Sequence, residues 1–226
     1  MMNMKSFRRT LPLLFVATAI GAHAQYAKTH GLSWSVGGTG QFSSLLESSP
    51  ATTTNLVPFS GGGLVAETVT NKQQYTTDSA GFVTSAQFHP VAWAGVEFNY
   101  GFTHYSERYA YSYSTVPGTR QTSSIPVDAH EATGAYQFHP KHIPFQPFVN
   151  IGGGAIDFAP RNAANQWRGA GLLEVGFDVP THSRHIGFRV EGRSLYYRSP
   201  NFNSSALSTR SWRATEEPSV STYYRF

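Results

Sequence analysis

The sequence predicts an all-β fold, an eight-stranded antiparallel up-and-down transmembrane β-barrel, and three observations carry that reading. Apolar and polar residues alternate over runs of a dozen or so positions, the connections between those runs alternate in length, and the chain closes on VSTYYRF, whose last residue is aromatic. Composition agrees: 16 Phe, 12 Tyr and 21 Gly, with only 13% charged residues, suit strands and turns better than helices. Past the N-terminus no segment reaches 18 consecutive apolar residues, which excludes helical spans but not a barrel, whose lipid-facing side chains alternate with polar ones.

Residues 1–24 read as an export signal. Lys5, Arg8 and Arg9 precede LPLLFVATAIGA, and Ala22-His23-Ala24 offers a small-x-small cleavage site before Gln25. That apolar run is broken by Pro12 and is too short to cross a bilayer, so the barrel domain is expected to be 25–226. The signal takes three basic and no acidic residues with it, so the net charge of +4 falls to +1 and nothing calls for nucleic acid. With no Cys there is neither a disulfide nor a thiolate to interpret.

Strands are predicted at 31–43, 79–89, 92–104, 126–138, 146–158, 168–179, 186–198 and 214–226. In the third, Val96, Phe98, Tyr100 and Phe102 fall on one face and Glu97, Asn99, Gly101 and Thr103 on the other. The sixth sets Leu173, Val175 and Phe177 against Leu172, Glu174 and Asp178, and the seventh sets Ile186, Phe188 and Val190 against Gly187, Arg189 and Glu191. Connections after the second, fourth and sixth strands are short, while the others are longer and rich in Ser, Thr, Asn and Gly; short turns on the periplasmic side and long loops outside are the pattern of an outer-membrane barrel. The first loop, about 44–78, is the longest. Within it GLVAETVT predicts a short strand extending a hairpin beyond the membrane. A ten-stranded barrel pairing it near Leu56 to Phe59 is the alternative, disfavoured by Pro58 and by Gly61 to Gly63.

Gln-Phe-His-Pro occurs twice, at 87–90 and 137–140, one full cycle of turn, strand, loop and strand apart. Phe88 and Phe138 are expected to close descending strands with a ring at the interface, His89 and His139 to sit among headgroups, and Pro90 and Pro140 to end the ladder. A metal held by His89, His139 and His142 is not expected, because no carboxylate stands with them at a ligand spacing. NIGGGAI lies in a strand pattern without GK[ST] or a following helix, so Gly152, Gly153 and Gly154 are read as permitting curvature and close packing rather than as a phosphate loop.

At the C-terminus Val220, Thr222, Tyr224 and Phe226 occupy one face. This resembles the terminal strand recognised by the bacterial outer-membrane assembly machinery. AGVEFNYGFTHYSERY, FQPFVNIGGGAIDF and TEEPSVSTYYRF extend the likeness over most of the chain, which resembles the small single-domain outer-membrane β-barrel family related to the OmpA transmembrane domain. The resemblance implies location in the bacterial outer membrane, partnership with its lipids and lipopolysaccharide, and no cofactor. It also implies a structural or surface-interaction role in place of enzymatic activity. Because the chain stops at Phe226, anchoring to the cell wall is not implied.

An eight-stranded barrel is filled by its own side chains, so no large pore is expected. Glu97, Glu131, Glu174, Arg189, Glu191 and Arg193 point inward by these registers, and the cost of burying a lone charge predicts that they pair as a lumenal network; a narrow ion path through them is the alternative. Tyr109, Tyr111 and Tyr113 near Arg108 and Arg120 read as an aromatic girdle with snorkelling arginines, or as a surface for sugars or lipopolysaccharide phosphates, among the loops where an extracellular ligand would bind. An enzymatic alternative is a lipid A deacylase, because His104 and Ser106 have that family's His-x-Ser spacing, although Glu107 stands where its motif has Asn. A soluble β-sandwich is the remaining rival.

Overall fold

A computed structural model describes residues 31–45, 51–114, 120–140, 145–183, 185–202 and 211–226. The expected export signal and His142 lie outside these residues. Ten strands run β1 (Gly31–Leu45), β2 (Ala51–Phe59), β3 (Gly63–Thr76), β4 (Ser79–Val91), β5 (Ala94–Tyr113), β6 (Gln121–Phe138), β7 (Pro147–Pro160), β8 (Gln166–Pro180), β9 (Ile186–Arg198) and β10 (Trp212–Arg225).

Eight of them close a ring. Going round it, β1 pairs with β4, then β5, β6, β7, β8, β9 and β10 follow, and β10 returns to β1, every pairing antiparallel. Closure leaves the ring without an edge strand. The eight-membered count predicted from alternation is thus the observed one. The other two strands form the hairpin expected within the first loop: β2 pairs with β3, and β3 continues the line of β4 along β5, pairing Val69 with Tyr113 and Thr76 with Glu107.

One difference from the sequence reading is length. β5 runs to Tyr113 and β6 starts at Gln121, so most of the stretch read as a second loop is strand. Its Tyr and Thr residues suit a pleated surface, and the partner they need is β3, far away in sequence. The upper parts of β5 and β6 stand beyond the ring with the hairpin as a four-stranded sheet, order β2-β3-β5-β6.

Alternation sorts the side chains. Every ring strand turns a large apolar residue outward, among them Trp34 on β1, Phe82 on β4, Phe98 on β5, Tyr136 on β6, Ile151 on β7, Val175 on β8, Phe188 on β9 and Val220 on β10, all of them exposed. Their sequence neighbours on the other parity face the lumen and, apart from the half-buried Gly81, Gly152 and Gly176, are buried. Two local features shape the wall. A Cβ on Gly152 or Gly154 would lie 2.1 Å from Gly134 O or 2.0 Å from Ala132 O, so these glycines let β7 approach β6 at a distance no side chain allows. Between Thr39–Ser219 and Phe42–Glu216 the β1–β10 ladder lapses at Pro218, which has no N–H to donate, and Thr39 Oγ1 binds Pro218 O at 3.2 Å instead.

Candidate functional site

The lumen is filled in two tiers. In the tier nearer the short turns, β9 supplies Arg189 and Arg193 on its inward face and the neighbouring strands supply carboxylates. Arg189 holds Asp178 with two bonds, Nε to Oδ1 at 2.7 Å and Nη2 to Oδ2 at 3.1 Å, and donates to Glu97 Oε2 at 2.9 Å. Its guanidinium also lies 4.3 Å over the Phe148 ring. Arg193 bonds Glu131, and its Nη1 donates to Glu217 Oε2 at 3.0 Å. Glu97 Oε2 takes two further donors, Gln137 Nε2 at 3.0 Å and Asn150 Nδ2 at 3.1 Å, and Ser219 Oγ donates to Glu191 Oε1 at 2.7 Å.

All six lumenal residues named from the sequence lie in this tier, fully or nearly fully buried. Arg189 and Arg193 draw in six carboxylates: Glu97, Asp178, Glu131 and Glu217 closely, Glu174 only at 3.8 Å and Glu191 only at 4.0 Å. Asp178 and Glu217 were missed by sequence reasoning. Asp178 shares the inward parity of Glu174, so a signal was present. Glu217 adjoins Glu216 and Pro218, where neither alternation nor ladder is legible.

At the turn end the repeated motif has a different use from the one expected. Phe88 and Phe138 do point outward, but period two then turns the residues on either side inward: Gln87 and Gln137 are buried, and His89 and His139 meet over the mouth of the lumen instead of facing headgroups. Their Nε2 atoms are 3.0 Å apart, and His89 Nε2 is 2.6 Å from Gln137 Oε1, which joins the pair to Glu97 through Gln137. Burial, with the His89 ring beside it, holds the turn residue His139 down at about 4. Pro140 follows β6, whereas Pro90 does not end its ladder: Val91 still pairs with Ala94, after a shift of register that leaves Pro90 in a bulge, where a missing N–H costs nothing.

The tier nearer the loops is apolar. Tyr105, Val127, Ile156, Phe158, Leu172, Leu195 and Tyr197 form one cluster, with the Phe158 and Tyr197 rings 5.5 Å apart. Above it sits a separate ion pair, Arg213 Nη1 to Glu107 Oε2 at 2.9 Å and Nη2 to Oε1 at 2.5 Å, with Gln74 Nε2 donating to the same Glu107 Oε1 at 2.9 Å. The start of the connection after β9 folds in as a lid. Gln166 Oε1 accepts from the Asn201 and Phe202 amides at 2.8 and 3.0 Å, Gln74 Nε2 and Tyr109 Oη donate to Pro200 O, and Phe202 is buried in the cluster. Phe202 does so at φ +49°, a conformation an L side chain adopts only when its surroundings hold it there.

Outside, His104 Nδ1 lies 2.5 Å from Asp128 Oδ1 on the exposed face, opposite it in register on β6, and Ser106 follows two residues along β5. Tyr109 is fully buried beneath the lid and is unavailable for stacking on a surface ligand; Tyr111 and Tyr113 form an edge-on pair 5.4 Å apart, and Arg120 bonds Gln73. Val220, Thr222 and Tyr224 share the outward face of β10, Phe226 follows just past its end and is also exposed, and the Phe226 amide donates to Leu32 O at 3.0 Å.

No protein-family model matches the chain, and no curated protein matches it. Among solved structures, it is similar to the outer membrane protein OprG from Pseudomonas aeruginosa at 12% identity and a TM-score of 0.48, covering 89% of this chain and 98% of that one. It is similar to the outer membrane protein AlkL, determined in lipid bilayers, at 13% identity and a TM-score of 0.42, covering 87% and 91%. The attachment invasion locus protein Ail of Yersinia pestis aligns at 11% identity and a TM-score of 0.38, covering 87% and 99%.

Proposed function

We propose that the protein is a bacterial outer-membrane barrel with a structural or surface-interaction role and a plugged lumen. The observation that carries this reading is the apolar belt to which every strand of the closed ring contributes, set against an interior that holds the charges. In water a patch of that extent drives association, whereas in hydrocarbon it is the stable surface, and a closed ring satisfies the wall's backbone there. The export signal read at 1–24 and the outward aromatic residues of the C-terminal strand support delivery to the outer membrane through its assembly machinery. Lipids and lipopolysaccharide are then its surroundings, and the sheet β2-β3-β5-β6, standing clear of the ring, is where an extracellular ligand would be met.

The test is fractionation. The protein should be extracted with outer-membrane detergent fractions and migrate faster in gels before heating than after. Recovery in the aqueous fraction would overturn the reading. In planar bilayers the two tiers and the lid predict no stable conductance steps.

One observation favours a second, enzymatic reading as a lipid A deacylase. The His-x-Ser pair gains an acidic partner in Asp128, which orients His104 through Nδ1 and leaves Nε2 toward the surface, as a general base requires. Mass spectrometry of lipopolysaccharide after incubation should show loss of one acyl chain that His104→Ala and Ser106→Ala abolish; unchanged lipopolysaccharide excludes it.

A further inference from the structure

Charge in the lower tier does not balance. Six buried carboxylates, Glu97, Glu131, Glu174, Asp178, Glu191 and Glu217, face two guanidiniums, Arg189 and Arg193, because Arg213 is already matched by Glu107. The excess is concentrated at one place. Carboxylate oxygens of Glu97, Glu174 and Glu191 all lie within 4.8 Å of one another. Both oxygens of Glu174, Glu97 Oε1 and Glu191 Oε2 have no hydrogen-bond partner among the described residues. The guanidiniums come near two of them without a hydrogen bond: Arg193 Nε lies 3.8 Å from Glu174 Oε2, and Arg189 Nη1 lies 4.0 Å from Glu191 Oε2. A bare carboxylate in a buried site is costly enough that something of positive charge is expected there.

Asn150 gives an independent indication. Fully buried, it stands on β7 opposite Glu174 in register and donates Nδ2 to Glu97 Oε2 at 3.1 Å, which puts its amide against the carboxylate group. The Glu97 bond fixes the amide's orientation, since the flipped form would set two acceptor oxygens together. Its Oδ1 is therefore held in place without any donor. A carbonyl oxygen and three carboxylates, with no nitrogen or sulfur, make a hard donor set.

We infer that Glu97, Glu174, Glu191 and Asn150 Oδ1 form a lumenal site for a hard divalent cation, calcium in preference to magnesium, enclosed when the barrel closes. Calcium accepts an irregular shell of protein oxygens, whereas magnesium demands near-ideal octahedral geometry and keeps several of its waters, which carboxylates fixed on three different strands of a filled lumen do not supply. The site rests on the closed lumen and not on where the barrel resides in the cell.

The experiment uses the full barrel refolded without lipopolysaccharide into detergent micelles from chelated buffer, in the presence of calcium chloride or magnesium chloride. One calcium per chain should be retained after desalting, with tenfold excess magnesium failing to displace it. Glu174→Gln, which keeps the shape and removes the charge, should lower calcium affinity by about tenfold or more while leaving the heat-modifiable mobility of the folded barrel intact. Should Glu174→Gln prevent closure, Asn150→Leu serves in its place with the same expected loss. Two results would overturn the site: wild type and variant retaining the same calcium, or infrared spectra of the calcium-treated barrel showing a protonated carboxyl band that Glu174→Gln removes, which would make the occupant a proton.

Discussion

The two halves of the lumen solve one problem with opposite chemistry. Near the turns the space is filled by guanidiniums and carboxylates that bond one another and the wall; near the loops it is filled by Tyr, Phe, Leu and Ile, with a lid holding Phe202 in place. Apolar filling tolerates imperfect contact, because its energy is spread over many weak contacts. A buried charge tolerates almost none, since losing one partner strands the other. The lower tier should consequently be the more brittle and the upper the more forgiving.

The largest expected effect is therefore at Arg189. Arg189→Met leaves Asp178 and Glu97 buried without their guanidinium, and denaturant unfolding in micelles should show a loss of about 3–5 kcal/mol, or no folded barrel at all. In the upper tier Leu195→Ala should cost about 3 kcal/mol, the transfer and cavity terms of a buried leucine, with folding retained. The Glu107–Arg213 pair, apart from the lower network, tests the same contrast within one ion pair. Replacing both partners, as Glu107→Leu with Arg213→Met, should cost about 1 kcal/mol or less, whereas either change alone should cost several times more. A double variant as damaging as the single ones would show that the ions do more than match each other.

The smallest effect expected is pH dependence at the turn end. His139 titrates in the fold at about 4, below the value near 6.5 of a free histidine, so the folded state favours the neutral ring. Its contribution is complete above about 6.5 and is lost as pH falls toward about 4. Histidine NMR should place the His139 midpoint there, and exchange of the amides around His89 and His139 should accelerate over the same window while the apolar tier stays protected.

Much of this architecture was legible because a strand in a closed wall has only two sides. Val96 to Phe102 announce an outward face, and the opposite parity on each strand delivers Glu97, Glu174, Arg189 and Arg193 to the interior. What stayed hidden depends on contacts that alternation does not encode. Which carboxylate meets which arginine depends on stagger around the ring, so Asp178 and Glu217 could not be matched to their partners from their own strands. The extension of β5 required β3 as its neighbour, 31 to 44 residues earlier along the registered pairs. Phe202 carries no local mark of burial, since it lies after β9 in a polar connection and is placed by Gln166. The histidine pair was within reach of parity alone, for an outward Phe88 obliges an inward His89.

The central claim is that hydrocarbon surrounds the wall, and tryptophan offers a direct measurement. Trp34, Trp167 and Trp212 stand on the outside of the wall and Trp93 in the turn between β4 and β5, with exposures from 43% to 62%, so no interior tryptophan dilutes the signal. In bilayers of lipids brominated along their chains most of the fluorescence should be quenched, and iodide in the water should quench no more than the Trp93 share. Emission untouched by brominated chains and quenched by iodide would contradict the account, because it would put water where these side chains need lipid.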